Sequence, residues 1–286
     1  MTQTAGVAGG DAGFIRTRDG LDLRMREWPT VGAARAHLLL VHGIAEHAGR
    51  YDHVGKQLAA AGIATHAFDL RGFGRSSGHR AYVDQWTHYH DDLEDVLAKV
   101  RAASGGSPVV LYGHSMGGLI VLGYALSDEP RALPDLLVLS APAVEAIVPV
   151  WQRRLADALG VIVPRFTVRN AFPHGALSTD PSVEAVYLAD PLAVHRTTAR
   201  LGAEVFHEQD RVRKVLARGE ALPVETYVLH GADDRLVPEW ASRSLESRAN
   251  VTRRVYPGLR HETHNERSRA AVIADTIAWI DGRLQK

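Results

Sequence analysis

Cysteine is absent from all 286 residues. That excludes disulfides, thiolate metal sites and a cysteine nucleophile, and it fits a reducing compartment, so a cytoplasmic location is expected. Net charge is absent too, because 33 Lys and Arg balance 33 Asp and Glu. A chain without a basic field has nothing to draw it to a phosphate backbone, so no nucleic-acid partner is expected. No uninterrupted apolar run reaches the roughly 20 residues of a membrane-spanning helix. The start, Met1 to Gly13, is small and polar and lacks the apolar core of a secretory signal. It reads as a disordered tail.

What is present is an alternation of short apolar runs and amphipathic stretches. Phe14 to Arg18 and Leu21 to Trp28 flank Asp19-Gly20, the signal of a two-residue hairpin. Strands are expected at His37 to Val41, Ile63 to Phe68, Val109 to Tyr112, Leu136 to Leu139, Val224 to Leu229 and Val251 to Tyr256. Helices are expected at Tyr51 to Ala61, Asp84 to Ala103, Leu119 to Leu126, Glu239 to Arg248 and Glu266 to Leu284. This order predicts an α/β domain with a mostly parallel central sheet and helices on both faces. Ligands in such sheets bind beyond the carboxyl ends of the strands. Four strands end in candidate chemistry: His42-Gly43, Asp69, Ser115 and His230-Gly231.

One segment breaks the alternation. Between about 146 and 205, Ile147, Trp151, Leu155, Leu159 and Ile162 recur at helical spacing, with Arg153, Arg154 and Asp157 between them. The spacing predicts an amphipathic helix packed on the body. Residues 14–145 and 206–286 are then the core, and 146–205 a helical cap insertion over the strand ends. Such a cap would shape an acyl pocket, with contact to a lipid surface as a further option.

Gly113-His-Ser-Met-Gly117 follows one strand and precedes a helix. A serine at the apex of a strand–turn–helix projects its hydroxyl from the sheet edge, and the glycines permit the tight turn. The arrangement is a candidate nucleophile elbow and points to acyl transfer. In α/β-hydrolases the acid and then the histidine follow the serine along the chain. Asp233 or Asp234 and then His261 satisfy that order, each in a loop beyond a strand. The oxyanion hole needs two backbone N–H groups. Met116, next after the serine, and Ile44, in the loop opened by Gly43, are the candidates.

Together these segments resemble the monoacylglycerol lipase family, bacterial type. The resemblance is carried by His42-Gly-Ile-Ala-Glu-His-Ala-Gly-Arg-Tyr51, by Asp69-Leu-Arg-Gly-Phe-Gly-Arg-Ser76 and by the elbow itself. Ser140-Ala-Pro142, His230-Gly-Ala-Asp-Asp-Arg-Leu236, Tyr256-Pro-Gly-Leu-Arg-His261, Asp180-Pro181 and Asp190-Pro-Leu192 extend it across nearly the whole chain from Phe14. The resemblance implies the α/β-hydrolase fold. It selects Asp234 as the acid and holds Asp233 in reserve. It implies Glu46, Arg50 and His264 at the polar end of the pocket, near the glycerol head. A buried Glu46–Arg50 pair bracing the oxyanion loop is equally consistent with their positions. Phe73 departs from the family, which usually carries His there.

The expected activity is hydrolysis of a small lipid ester, a monoacylglycerol, through an acyl-enzyme on Ser115, with no metal and no organic cofactor. The same triad would serve a lysophospholipase, a broad carboxylesterase or an acyltransferase, since fold does not decide substrate. A non-catalytic ligand-binding homologue would lack a triad member, and none is missing. A metal hydrolase could draw on His261-x-x-His264 or on His88-x-His90 with Asp91, but the sequence has no His-Glu-x-x-His helix. Peripheral membrane contact through the cap and the oligomeric state stay open.

Overall fold

The apolar alternation becomes an eight-stranded sheet in the computed structural model, which describes residues 9–146 and 148–285. Strands β1 (Gly10–Arg16), β2 (Asp22–Trp28), β3 (Ala36–Val41), β4 (Ile63–Phe68) and β5 (Val109–His114) come from the first part of the chain. They are followed by β6 (Leu136–Ser140), β9 (Glu225–Gly231) and β10 (Val251–Tyr256). Their spatial order is β1-β2-β4-β3-β5-β6-β9-β10. β2 runs antiparallel to β1 and β4, and the six strands from β4 to β10 are parallel.

Side chains alternate across each strand, so each buried strand feeds two cores. Leu39, Val41, Leu111, Leu137 and Leu139 face α2 (Thr87–Ala103), α3 (Met116–Ala125) and α6 (Ala199–Leu216). Leu38, Leu40, Val110, Tyr112 and Val138 face α1 (Asp52–Ala60) and α8 (Arg269–Leu284). The chain leaves β3 toward β4 on one side and returns to place β5 on the other. This reversal opens a crevice beyond the ends of β3 and β5, the usual ligand position in a parallel sheet.

Several boundaries differ from the expectation. β1 begins at Gly10, so four residues assigned to a disordered tail form part of a strand paired with β2, while residues 1–8 lie outside the described ones. The first hairpin is not a two-residue turn. Gly20 N–H donates to Thr17 O and Thr17 N–H to Leu21 O, and Gly20 takes φ +89°. This is a turn followed by a left-handed residue, the longer hairpin form. The Glu239–Arg248 helix shrinks to a 3-10 turn, Glu239–Ser242, and a single turn α7, Arg243–Glu246.

The segment between β6 and β9 departs most. It holds α4 (Val150–Ile162), β7 (Thr167–Arg169), α5 (Pro181–Ala189) and β8 (Arg196–Thr198), with β7 and β8 forming their own ribbon. The helix α6 runs straight across the expected boundary at 205. The stripe on α4 does not pack on the body. Trp151 is 63% and Ile162 76% exposed, Leu155 is exposed and Leu159 half-buried, and Ile147 lies outside the described residues. The helix instead meets α6 through small residues: a Cβ added at buried Gly160 would touch Ala203 Cβ at 3.2 Å. Close approach of backbones replaces apolar side chains at this contact, and the apolar stripe faces outward.

One buried ion pair fixes the loop after β4. Arg71 donates Nε and Nη2 to the two oxygens of Asp92 on α2, each at 2.6 Å, and Nη1 to Asp19 of the hairpin at 2.9 Å. Burial pushes the Asp92 carboxyl up to about 6 even beside the guanidinium. Asp92→Ala leaves Arg71 buried without its main partner, which costs about 3–5 kcal/mol. The expected result is a matching fall in unfolding free energy by urea titration, where a neutral outcome would mean the pair carries no structural load.

Candidate active site

Ser115 sits at the step from β5 to α3, with φ +52° and ψ −117°. A non-glycine residue with positive φ is strained and has to be held by its surroundings. Here the holding bonds run through the backbone. Ser115 N–H donates to Ser140 O (2.9 Å), and its carbonyl accepts from Ala143 N–H and Leu119 N–H (3.0 Å each). The flanking glycines have a steric reason. A Cβ on Gly113 would lie 2.4 Å from Gly117 O, and one on Gly117 would lie 2.2 Å from Val41 O. Gly43, just beyond β3, also faces the serine closely, since its Cβ would fall 3.1 Å from Ser115 Cβ. The ends of β3 and β5 therefore meet at the serine.

The candidate acid and base come together in the structure. His261 Nδ1 lies 2.7 Å from Asp234 Oδ2. Asp234 Oδ1 accepts the N–H groups of Leu236 (2.8 Å) and Val237 (2.9 Å), which fixes the carboxylate's orientation. His230 Nε2 donates to Val237 O (2.8 Å) and lies 3.2 Å from Asp234 Oδ2. Asp233 is exposed. The choice between the two aspartates thus falls geometrically on Asp234. Burial alone would raise its pKa, but His261, together with His230, holds it well below the ordinary carboxylate range. Burial opposes a charged His261. The charge and hydrogen bond of Asp234, helped by Glu262 and Glu46, outweigh that and raise the imidazole pKa above its usual value. The His261 ring packs 4.8 Å from that of His114, the residue preceding Ser115.

Met116 is the first residue of α3. First-turn N–H groups of a helix have no intrahelical acceptor and carry the positive end of the dipole. Ile44 lies in the loop from Gly43 to Tyr51, and a buried carboxylate shapes that loop. Glu46 Oε1 accepts Gly43 N–H (2.7 Å) and Tyr51 OH (2.8 Å), and Oε2 pairs with Arg50 Nη1 (2.7 Å). Arg50 then makes a two-pronged pair with Glu262, both contacts at 2.7 Å. All three side chains are less than a tenth exposed. Burial works against the Glu46 charge, yet Arg50 holds its pKa below the ordinary value. Glu46 and Arg50 therefore brace the loop. Arg50 also faces the insert, with its guanidinium 5.3 Å over the Tyr187 ring of α5. Tyr187 lines a cavity of about 350 Å3 with Asn170, Phe172, Leu177 and His195.

His264 is not where it was expected. The 3-10 turn Thr263–Asn265 carries it inward to 1% exposure. Its ring stacks on Tyr51 at 4.6 Å and meets His114 edge-on at 4.7 Å, and neither ring nitrogen has a hydrogen-bond partner. Burial and the neighbouring His114 push its pKa well below the usual value, so it is a neutral packing ring behind the serine. His88 and His90 turn apart: His88 pairs with Asp84 at 2.8 Å, and His90 approaches Glu208 at 3.5 Å. His42 and Asp69 serve the frame. His42 Nε2 accepts Leu70 N–H (2.9 Å), and Asp69 accepts Ala48 N–H (2.8 Å) and Arg75 N–H (2.7 Å). Phe73 is fully buried and packs edge-on against the His42 ring.

Two residues escaped the sequence reading. Glu262 carries no motif of its own, although its place beside the candidate base was a usable signal. Tyr187 gave none, because one aromatic residue in an irregular insert looks like any other.

Comparison with known proteins identifies the family. A profile of the serine aminopeptidase S33 family matches residues 32–268. A monoacylglycerol lipase of Mycolicibacterium smegmatis is 36% identical, over 90% of this chain and 92% of its own length. Human monoglyceride lipase is 27% identical, over 96% of this chain and 91% of its own. The crystal structure of Paleococcus ferrophilus monoacylglycerol lipase superposes with a TM-score of 0.78 at 28% identity, covering 91% of this chain and 99% of that one. The chain has the α/β-hydrolase fold and belongs to the serine aminopeptidase S33 family, within the group that contains the monoacylglycerol lipases.

Proposed function

We propose that this protein hydrolyses monoacylglycerols to glycerol and fatty acid, with Ser115, His261 and Asp234 as catalytic triad. The observation that carries the reading is the 2.7 Å contact of Asp234 Oδ2 with His261 Nδ1, at the sheet edge that also holds strained Ser115. The name borne by the Mycolicibacterium smegmatis relative supports the substrate class.

Asp234 keeps the proton on His261 Nδ1, which leaves Nε2 free to act as base. Ser115 Oγ attacks the ester carbonyl as Nε2 takes its proton. The N–H groups of Ile44 and Met116 receive the oxyanion, where loss of one such donor typically costs about 3 kcal/mol. His261 passes the proton to the departing glycerol oxygen, and the bond from carbonyl carbon to glycerol oxygen breaks. Water, deprotonated by the same Nε2, then releases the fatty acid and restores Ser115. The scheme requires neither a metal nor a cofactor. Glu46 and Arg50 hold the Ile44 loop, and the Arg50–Tyr187 face beside the 350 Å3 cavity supports a polar subsite next to it.

Residues 146–205 are proposed to act as the cap. Among the described residues no helix is long and apolar enough to cross a membrane. The outward side of this segment nevertheless gathers Val150, Trp151, Leu155, Val161, Ile162 and Phe166, all exposed. Contiguous apolar surface of this kind marks a contact site, and a lipid surface is the partner that also carries the substrate.

Three outcomes are expected. Wild-type protein should label at Ser115 with a fluorophosphonate probe and turn over monoacylglycerols faster than lysophospholipids. Ser115→Ala should lose both labelling and turnover while keeping its far-UV spectrum; normal turnover by that variant would end the proposal, and preference for lysophospholipids would move it to another substrate. The acid limb of kcat/KM should lie above pH 6.5. A raised His261 pKa means the neutral base persists at higher pH and is lost as pH falls through that value. Asp234→Asn should cut kcat about 10⁴-fold, and a limb below pH 6 in wild type would contradict the assigned pair. The double variant Trp151→Ser/Ile162→Ser should bind phospholipid vesicles more weakly in a flotation assay, with hydrolysis of dissolved short-chain esters unchanged; equal flotation would remove the lipid-surface role.

A further inference from the structure

The loop that carries Ile44 is held from two sides. From below, the core fixes it through Glu46, which accepts Gly43 N–H, and through Asp69, which accepts Ala48 N–H. From above, the insert reaches it twice. Asp190, at the end of α5, places Oδ2 2.8 Å from His47 Nε2. Four residues on, Val194 N–H donates to Ala45 O at 3.1 Å. Ala45 lies directly between Ile44 and Glu46 and takes φ +68°, the left-handed region that a residue with a Cβ avoids. A conformation of that kind persists only where contacts on both sides over-determine it.

The His47–Asp190 contact is pre-oriented at both ends. Gly49 N–H donates to His47 Nδ1 (3.1 Å), so Nδ1 bears the lone pair and Nε2 the proton, aimed at Asp190. The other carboxylate oxygen of Asp190 accepts Leu192 N–H at 2.8 Å, which ties its direction to the turn that leads on to Val194. The His47 side chain is 11% and that of Asp190 18% exposed, so the contact is largely shielded from solvent. Neither residue has a part in the proton transfers at Ser115.

We propose that His47 and Asp190 are positioning residues for the oxyanion hole, fastening the insert to the 43–51 loop so that the Ile44 amide is in place only while the insert is seated. The contact then makes the cap part of the catalytic apparatus and not merely a wall of the pocket. Displacing the insert releases Ala45 O and His47 together, and the strained loop can relax away from Ser115. The inference rests on the assignment of Ser115 and Ile44 above.

The test is steady-state hydrolysis of a monoacylglycerol and of a soluble short-chain ester, with the rate of fluorophosphonate labelling measured alongside. Asp190→Ala should lower kcat about tenfold or more, short of the 10²–10³ for outright loss of a donor. KM should stay within about threefold, and labelling should slow in parallel because it uses the same hole. Asp190→Asn keeps an acceptor for His47 Nε2–H and should recover most of the loss, as should His47→Gln, which keeps a donor. These two variants also decide the matter if Asp190→Ala fails to fold. A lower melting temperature with kcat and labelling unchanged would overturn the proposal in favour of a purely structural tie. A raised KM at unchanged kcat would overturn it in favour of pocket shaping. Failure of the triad reading would look different, since wild type itself would then neither label nor turn over.

Discussion

The carboxylate of Glu46 is the constraint on which most of the site depends. It is buried, and a buried carboxylate is tolerable only when charge and hydrogen bonds surround it. Arg50 supplies the charge, and Gly43 N–H and Tyr51 OH supply the bonds. Each of these partners is itself attached to something the chemistry needs. Gly43 opens the loop of Ile44, Tyr51 stacks on His264 behind the serine, and Arg50 grips Glu262 next to His261. One desolvated charge therefore ties together the 43–51 loop, the rings packed behind Ser115 and the residue next to His261. Removing Arg50 would leave an uncompensated buried charge, at a cost of about 3–5 kcal/mol.

The site divides its strain and its stability between different elements. Ser115 and Ala45 both hold positive φ, at 52° and 68°. Ser115 follows β5 directly and Ala45 lies four residues past the end of β3, so both stand close to strands buried in the core. The glycines between them serve as spacing. At Gly113 and Gly117 a single methyl group would strike backbone atoms and push apart the segments that meet at Ser115, and at Gly43 it would crowd the Glu46 carboxylate and Ser115 Cβ. Electrostatics follows the same division. Asp234 is held low and His261 high by mutual contact, while His114 is driven down to about 3 by burial and by the charge of His261. Of the rings crowded behind the serine, the one that faces a carboxylate is the one able to accept a proton.

Much of this was legible in the sequence, and the reasons differ by element. Fully buried strands such as Leu38–Val41 announce themselves, because burial on both faces leaves a continuous apolar run. The elbow and the Asp234–His261 order were legible because the chemistry fixes residue type and chain order. His264 misled because the family resemblance gives its place in the chain and not its direction, and only the 3-10 turn at Thr263–Asn265 shows that the chain dives inward. The helix α4 misled for a different reason. An apolar stripe says that something apolar is covered, but not by what. The small residue Gly160, which makes the contact with α6, looks like a weakness in a helix until its neighbour is known. Glu262 could not be read as the partner of Arg50, because a salt bridge between residues 212 apart in sequence leaves no local pattern; its place beside His261 was the one usable signal.

That separation has a consequence for how the protein is made. The loop from Gly43 to Tyr51 contains Glu46 and Arg50, and Arg50 is made 212 residues before its remaining brace, Glu262. Until Glu262 has been synthesised, Arg50 lacks its two-pronged partner and holds the loop through Glu46 alone. Strands β2 to β5 can pair and bury their apolar faces well before that moment. Packing of the sheet can therefore precede full bracing of the 43–51 loop, which waits on a residue made after every one of those strands.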